Sequence, residues 1–153
     1  MPKILLIGSG IFRKDYEDIL SQEGFEVSRF RAIDNALPRL NEKVNIIIVE
    51  KEQSKNSFFK DFIKASGNIP KLVVSPDYSF TGLGVWLKNP LTYPVYNPSQ
   101  KELLYFINRI LKEKSMRIEN KILQQELDIA KKEIEFFEKV AKILTSSMEL
   151  NQI

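Results

Sequence analysis

Four short polar clusters in this chain each close an apolar run, and these are the places where chemistry could be done. They are Gly8-Ser9-Gly10 after KILLI, Glu50-Lys51 after VNIIIV, Ser75-Pro76 at the end of KLVVS, and Asn97-Pro98 after Tyr93–Tyr96. Glycines let backbone N–H groups approach an anion. Glu50 supplies one carboxylate, Ser75 a hydroxyl for an acceptor oxygen, and Asn97 an uncharged amide. The chain has no histidine and no cysteine. Ser-His and Cys-His catalysis, thiolate zinc sites and disulfides are therefore excluded. Any chemistry would rest on carboxylates, lysines, Ser/Thr hydroxyls or backbone amides, and for Glu50 as a base no second catalytic group converges on it in the sequence. No metal site and no cofactor are expected.

Gly8-Ser9-Gly10 also begins a GxGxxG-like pattern after a strand. Its third glycine position is Arg13, which would crowd helix against strand, and Ser28-Arg29-Phe30 offers no acid to hold a ribose. The segment reads either as a tight strand-to-helix turn or as the anion nest of a small-ligand or nucleotide-binding α/β module.

The elements that must position these clusters follow from the pattern of the chain. All six glycines and all seven prolines lie within residues 1–98, and the last 55 residues have neither. Breakers punctuate a many-turned fold, and their absence predicts a long helix. The net charge of +3 is small and spread over both parts, +2 and +1. That argues against a nucleic-acid track. No apolar run reaches membrane-spanning length, and the N-terminus carries no signal-peptide pattern, so a cytoplasmic protein is expected.

In the first part, Lys3–Ile7, Phe25–Phe30, Val44–Val49, Lys71–Ser75 and Tyr93–Tyr96 read as strands. Helical spacing appears in Phe12–Gln22, in a stretch capped by Asp34 through Leu40, and in one capped by Asn56 or Ser57 to Ser66. The last of these should turn Phe58, Phe59, Phe62 and Ile63 inward. Asp77–Leu91 breaks the alternation and should be a loop or a short distorted helix. There Trp86 and Phe80 could pack in the core, meet another protein or line a ligand surface. Near-continuous apolar strands alternating with helices imply a doubly wound α/β fold with a five-stranded parallel sheet.

With those strand ends placed, residues 1–112 resemble a receiver domain of two-component response regulators. The resemblance implies an acidic pair after the first strand, a phosphoacceptor Asp after the third, a Ser/Thr after the fourth and a Lys-Pro after the fifth. These positions fall on Gly8 and Ser9, on Glu50, on Ser75 and on Asn97-Pro98. Phosphoryl transfer to a receiver needs Mg²⁺ held by carboxylates. Gly8 and Ser9 supply none, Glu50 is a methylene longer than Asp, and Asn97 lacks the charge of Lys. Asp15 and Asp18 lie further along the first helix. The expectation is a degenerate pseudo-receiver without enzymatic activity. Glu50 is then either a fixed anion near Ser75 or simply a polar residue ending a buried strand.

The second part reads as one helix. Ser99 and Glu102 form a capping box, and Leu103, Leu104, Ile107, Ile110 and Leu111 would pack on the sheet. Beyond them a four-three spacing marks a coiled-coil seam over residues 113–146: Met116, Asn120, Leu123, Leu127, Ala130, Ile134, Phe137, Ala141 and Leu144. Buried Asn120 would fix register. Across a parallel pair Glu126 would meet Lys131 favourably, and Glu133 would meet Glu138 unfavourably. A second stripe, Ile122, Ile129, Phe136, Val140 and Ile143, lies outside the seam. From Ser99 to Thr145 a helix is roughly 70 Å long, too long to be covered by one small domain. A parallel homodimer is expected. Residues 136–153 resemble the entry helix of GAF sensory domains, with a turn expected from Ser146-Ser147, so that 147–153 would begin a downstream domain. The expected partners are that output domain or a signalling protein, with no membrane and no nucleic acid.

Overall fold

The computed structural model describes residues 1–10, 15–40, 43–77 and 81–151, with side chains through residue 148. The chain divides into two compact units, Met1–Leu111 and Lys112–Ile153. In the first unit β1 (Lys3–Ile7), β2 (Glu26–Phe30), β3 (Ile46–Glu50), β4 (Lys71–Ser75) and β5 (Thr92–Tyr96) form one parallel sheet. Its order is β2-β1-β3-β4-β5. The helices are α1 (Tyr16–Gln22), α2 (Ile33–Ala36), α3 (Phe59–Ala65), α4 (Gly84–Leu87) and α5 (Gln100–Asn151). This is the doubly wound, flavodoxin-like architecture with a long C-terminal helix that the strand pattern predicts.

Period-two alternation along the strands divides the core between the two sheet faces. Ile4, Leu6, Ile46, Ile48, Leu72 and Val74 point to one face, where Tyr16 and Leu20 of α1 and Leu103, Ile107 and Ile110 of α5 cover them. Leu5, Ile7, Ile47, Val49 and Val73 point to the other, under Ile33, Ala36, Phe62, Leu83 and Trp86. Both faces being covered is why β1, β3 and β4 read as nearly unbroken apolar runs. Each large side chain fully buried this way contributes about 1.5–3 kcal/mol.

Three local expectations are corrected. Asp34 is not a cap: α2 starts at Ile33 after extended Ala32, and Asp34 lies in its first turn, where it accepts from the Asn56 side-chain amide at 3.2 Å. Pro38 offers no N–H, so the α-helix stops at Ala36 and a 3-10 turn, Leu37–Arg39, carries the chain on. Asn56 does not cap α3 either. A 3-10 helix, Lys51–Lys55, takes up the chain after β3, and the Asn56 side chain accepts the Phe58 N–H at 2.9 Å to form a local turn. Helix α3 begins only at Phe59. Phe58 therefore lies outside the inward stripe and is exposed, while Phe62 is fully buried. Finally, α5 continues through Ser146 and Ser147 to Asn151, where a turn was expected. Phe12, Arg13 and Phe80 lie outside the described residues.

At the N-terminal edge of the sheet Lys71 is wholly buried. Its Nζ donates to the Ser66 carbonyl at 2.6 Å and the Ile69 carbonyl at 3.1 Å. Burial pushes its pKa down from 10.5 to about 8. On the opposite face Tyr16 donates its hydroxyl hydrogen to the Pro98 carbonyl. Burial, with the Glu102 charge second, pushes its pKa up from 10.0 to about 12. The two shifts act on stability with opposite signs. Between pH 8 and 10.5 the unfolded chain binds the Lys71 proton more tightly, so stability rises with pH, by up to about 3 kcal/mol. Between pH 10 and 12 the folded chain holds the Tyr16 proton more tightly, so stability falls. Urea midpoints measured from pH 7 to 12 are expected to pass through a maximum near pH 10. Lys71→Met should abolish the rise and leave the fall.

In the second unit α5 runs on from Lys112, and most of its large apolar side chains are exposed in the single chain: Met116, Leu123, Leu127, Ile134, Phe137 and Leu144 along the seam, and Ile122, Ile129, Phe136 and Ile143 beside it. Among the described residues no helix is long and apolar enough to cross a membrane.

Candidate functional site

The sheet register gathers the four clusters at one edge. Ile7 pairs with Val49, Glu50 with Val74, and Ser75 with Tyr96. The residues that follow these strands leave the sheet together at their carboxyl ends, where open α/β sheets place their ligands. The ladder extends slightly beyond the strands: the Gly8 N–H donates to the Phe30 carbonyl at 2.8 Å, and the Asn97 N–H to the Ser75 carbonyl at 2.8 Å. Asn97 takes up a left-handed conformation, φ 32°, at the turn into Pro98. Pro98 is buried and receives the Tyr16 hydroxyl hydrogen, which ties the start of α1 to the turn between β5 and α5.

Glu50 defines the centre of this edge. Its side chain lies against the turn after β1, over two glycines. A Cβ placed on Gly8 would stand 2.4 Å from Glu50 Cδ, and one placed on Gly10 would stand 2.5 Å from Glu50 Oε1. The carboxyl group occupies the space that side chains at positions 8 and 10 would enter. Gly8 also has φ +129°, open to glycine and strained for other residues. Ser9, between them, is exposed.

Ser75 Oγ donates to the Asp77 carbonyl at 2.7 Å, so its one proton holds the turn after β4. Lys51 is buried, and its Nζ stands 3.4 Å from Asp77 Oδ1, linking the loops after β3 and β4. The Trp86 indole donates to the Lys51 carbonyl at 3.0 Å from within the core. Phe59 and Phe62 meet the Trp86 ring edge-on, with centroids 4.8 and 6.4 Å away. Of the open readings for Trp86, core packing is the one observed.

The sequence positions Gly8, Glu50, Ser75, Asn97 and Pro98 thus share one edge. Asp77 and Trp86 are the participants that the strand-end reading did not single out for it, and Gly10 and Lys51 stood in its clusters without an assigned role. Gly10 was visible as a second glycine two residues after Gly8, but nothing local says that a glutamate from another strand fills the space above it. The Lys51–Asp77 and Trp86–Lys51 contacts join segments 26 and 35 residues apart and leave no periodic trace.

Chemically, the edge offers two carboxylates, Glu50 over the β1 turn and Asp77 beside the Lys51 ammonium, and a hydroxyl committed to its own turn. Among the described residues no group of three or more acidic side chains is placed to hold a metal ion. The donor set does not fit the Mg²⁺ that the receiver resemblance implies: the acidic-pair positions, Gly8 and Ser9, bring no carboxylate, and the Glu50 side chain fills the space over Gly8 and Gly10.

Comparison with known proteins gives the fold alone. No family model matches the chain, and no curated protein matches it. Solved structures do. A CheY-like response regulator receiver domain from Methanospirillum hungatei JF-1 superposes with a TM-score of 0.63 at 19% identity, covering 76% of this chain and 98% of that one. The signal receiver domain of an HD domain-containing protein from Pseudomonas fluorescens Pf-5 gives 0.64 at 16%, covering 75% and 98%. A fusion carrying the yeast Spc42 trimeric coiled coil gives 0.64 at 14%, covering 87% and 96%. The sheet and its helices have the receiver fold.

Proposed function

We propose that this chain is a regulatory signal-transduction domain of the receiver fold that works without phosphoryl transfer. It pairs with a second copy through the helix beyond Lys112 and relays its state along that helix to an output domain or a partner protein. It is not an enzyme. The observation that carries the reading is the Glu50 carboxyl group lying over Gly8 and Gly10. A transferred phosphoryl group needs a cation held by carboxylates and a free acceptor beside it. Here the Glu50 carboxylate fills the space over the β1 turn, and Asp77 stands beside the Lys51 ammonium. Ser75 spends its proton on its own turn, and Asn97 brings no charge. The same placement speaks against an anion nest at Gly8-Ser9-Gly10, because a carboxylate already stands against that turn. The apolar seam from Met116 to Leu144, exposed in the single chain, supports pairing of two helices.

The test is sedimentation of the intact chain with and without Mg²⁺ and beryllofluoride, a phosphoryl mimic. The expected result is the same dimer and the same dissociation constant in both. A change of about tenfold, or about 1.4 kcal/mol, would show that the site still governs assembly and would overturn the proposal.

A further inference from the structure

The contacts of Glu50 carry more than a missing phosphorylation site. Both glycines that face it are needed for its position, one against Cγ, Cδ and Oε2, the other against Oε1. We infer that Glu50, Gly8 and Gly10 form an interlocking set, in which the glycines open a slot at the end of β1 and the Glu50 side chain is its permanent occupant. The slot keeps the carboxylate on the β1 side of the site, while the Ser75 proton is directed to the Asp77 carbonyl. Glu50 is therefore a stowed side chain that holds the edge in one arrangement, rather than an anion recruiting Ser75 as a phosphoryl group would. The inference deepens the proposed function and rests on it only for its consequence, since the slot itself is a matter of geometry.

The set is tested by a double-mutant cycle in the full chain, read by urea unfolding. Gly10 is the position to use, because its φ lies outside the left-handed region and the three nearest atoms to an added methyl all belong to Glu50. Gly10→Ala should lower the unfolding stability of the parent by about fivefold in equilibrium constant, because the carboxylate must leave its slot. In the Glu50→Ala background the same change should stay within about twofold. Glu50→Gln, which keeps the shape, should restore the parent's sensitivity to Gly10→Ala. Amide spectra give a second measure that does not depend on stability. Glu50→Gln should move the Gly8 and Gly10 signals more than those of Gly24, Gly67, Gly82 and Gly84. Equal losses in both backgrounds, no loss in either, or glycine signals that ignore Glu50 would overturn the set. Phosphodonor labelling of the parent separates the two ideas: labelling with the coupling intact defeats only the phosphorylation-independent function, and missing coupling without labelling defeats only the interlock.

Discussion

Ile134→Asp is expected to raise the dissociation constant of the dimer about a hundredfold, which corresponds to about 2.7 kcal/mol. Ile134 is 58% exposed in the single chain and occupies the middle of the seam. Covering such a side chain in a partner's seam contributes on the order of 1 kcal/mol of apolar burial per chain. An aspartate in its place removes that contribution twice and must also be desolvated or protonated. The control is Ile129→Asp, which lies outside the four-three spacing although Ile129 is equally exposed at 59%. It should leave the dissociation constant within about threefold, because its charge stays in water. Sedimentation of both variants and of a chain ending at Lys112 checks the assignment. The truncated chain should be monomeric. Equal effects of the two aspartates, or a dimer that survives truncation, would place the interface elsewhere.

Trp86→Ala is expected to destabilise the first unit by about 3–5 kcal/mol, the range for deleting a large buried aromatic side chain. The ring is fully buried between α4 and the sheet, with Phe59 and Phe62 on its edges. Its indole N–H also binds the carbonyl of Lys51, the residue directly after Glu50. Trp86→Phe keeps an aromatic ring and removes the donor, and should cost about 1–3 kcal/mol. Urea unfolding gives both numbers. If Trp86→Phe is as stable as the parent, the indole bond does not fasten the loop after β3.

Much of this architecture is legible because burial on two faces leaves a plain signature. Lys71–Ser75 is a strand over the very residues read from the sequence, and Ser99 caps α5 by accepting the Glu102 N–H at 3.2 Å. The sequence reading fails where competing local interactions decide. A proline cuts α2 short, and an asparagine side chain makes a turn before α3 instead of capping it. The short α4 falls within a stretch read as a loop or a distorted helix, and buried Leu83 and Trp86 hold it against the sheet. At the site, the strand ends could be placed from the alternation of apolar runs. The direction of the Glu50 side chain could not, because it depends on the space left over two glycines in the turn after another strand, β1.

The most direct measurement of the central claim is the intact mass of the chain after incubation with a small phosphodonor and Mg²⁺. The expected result is an unmodified chain under conditions that label a phosphorylatable receiver run beside it. One phosphoryl group per chain, absent from Glu50→Gln, would contradict it.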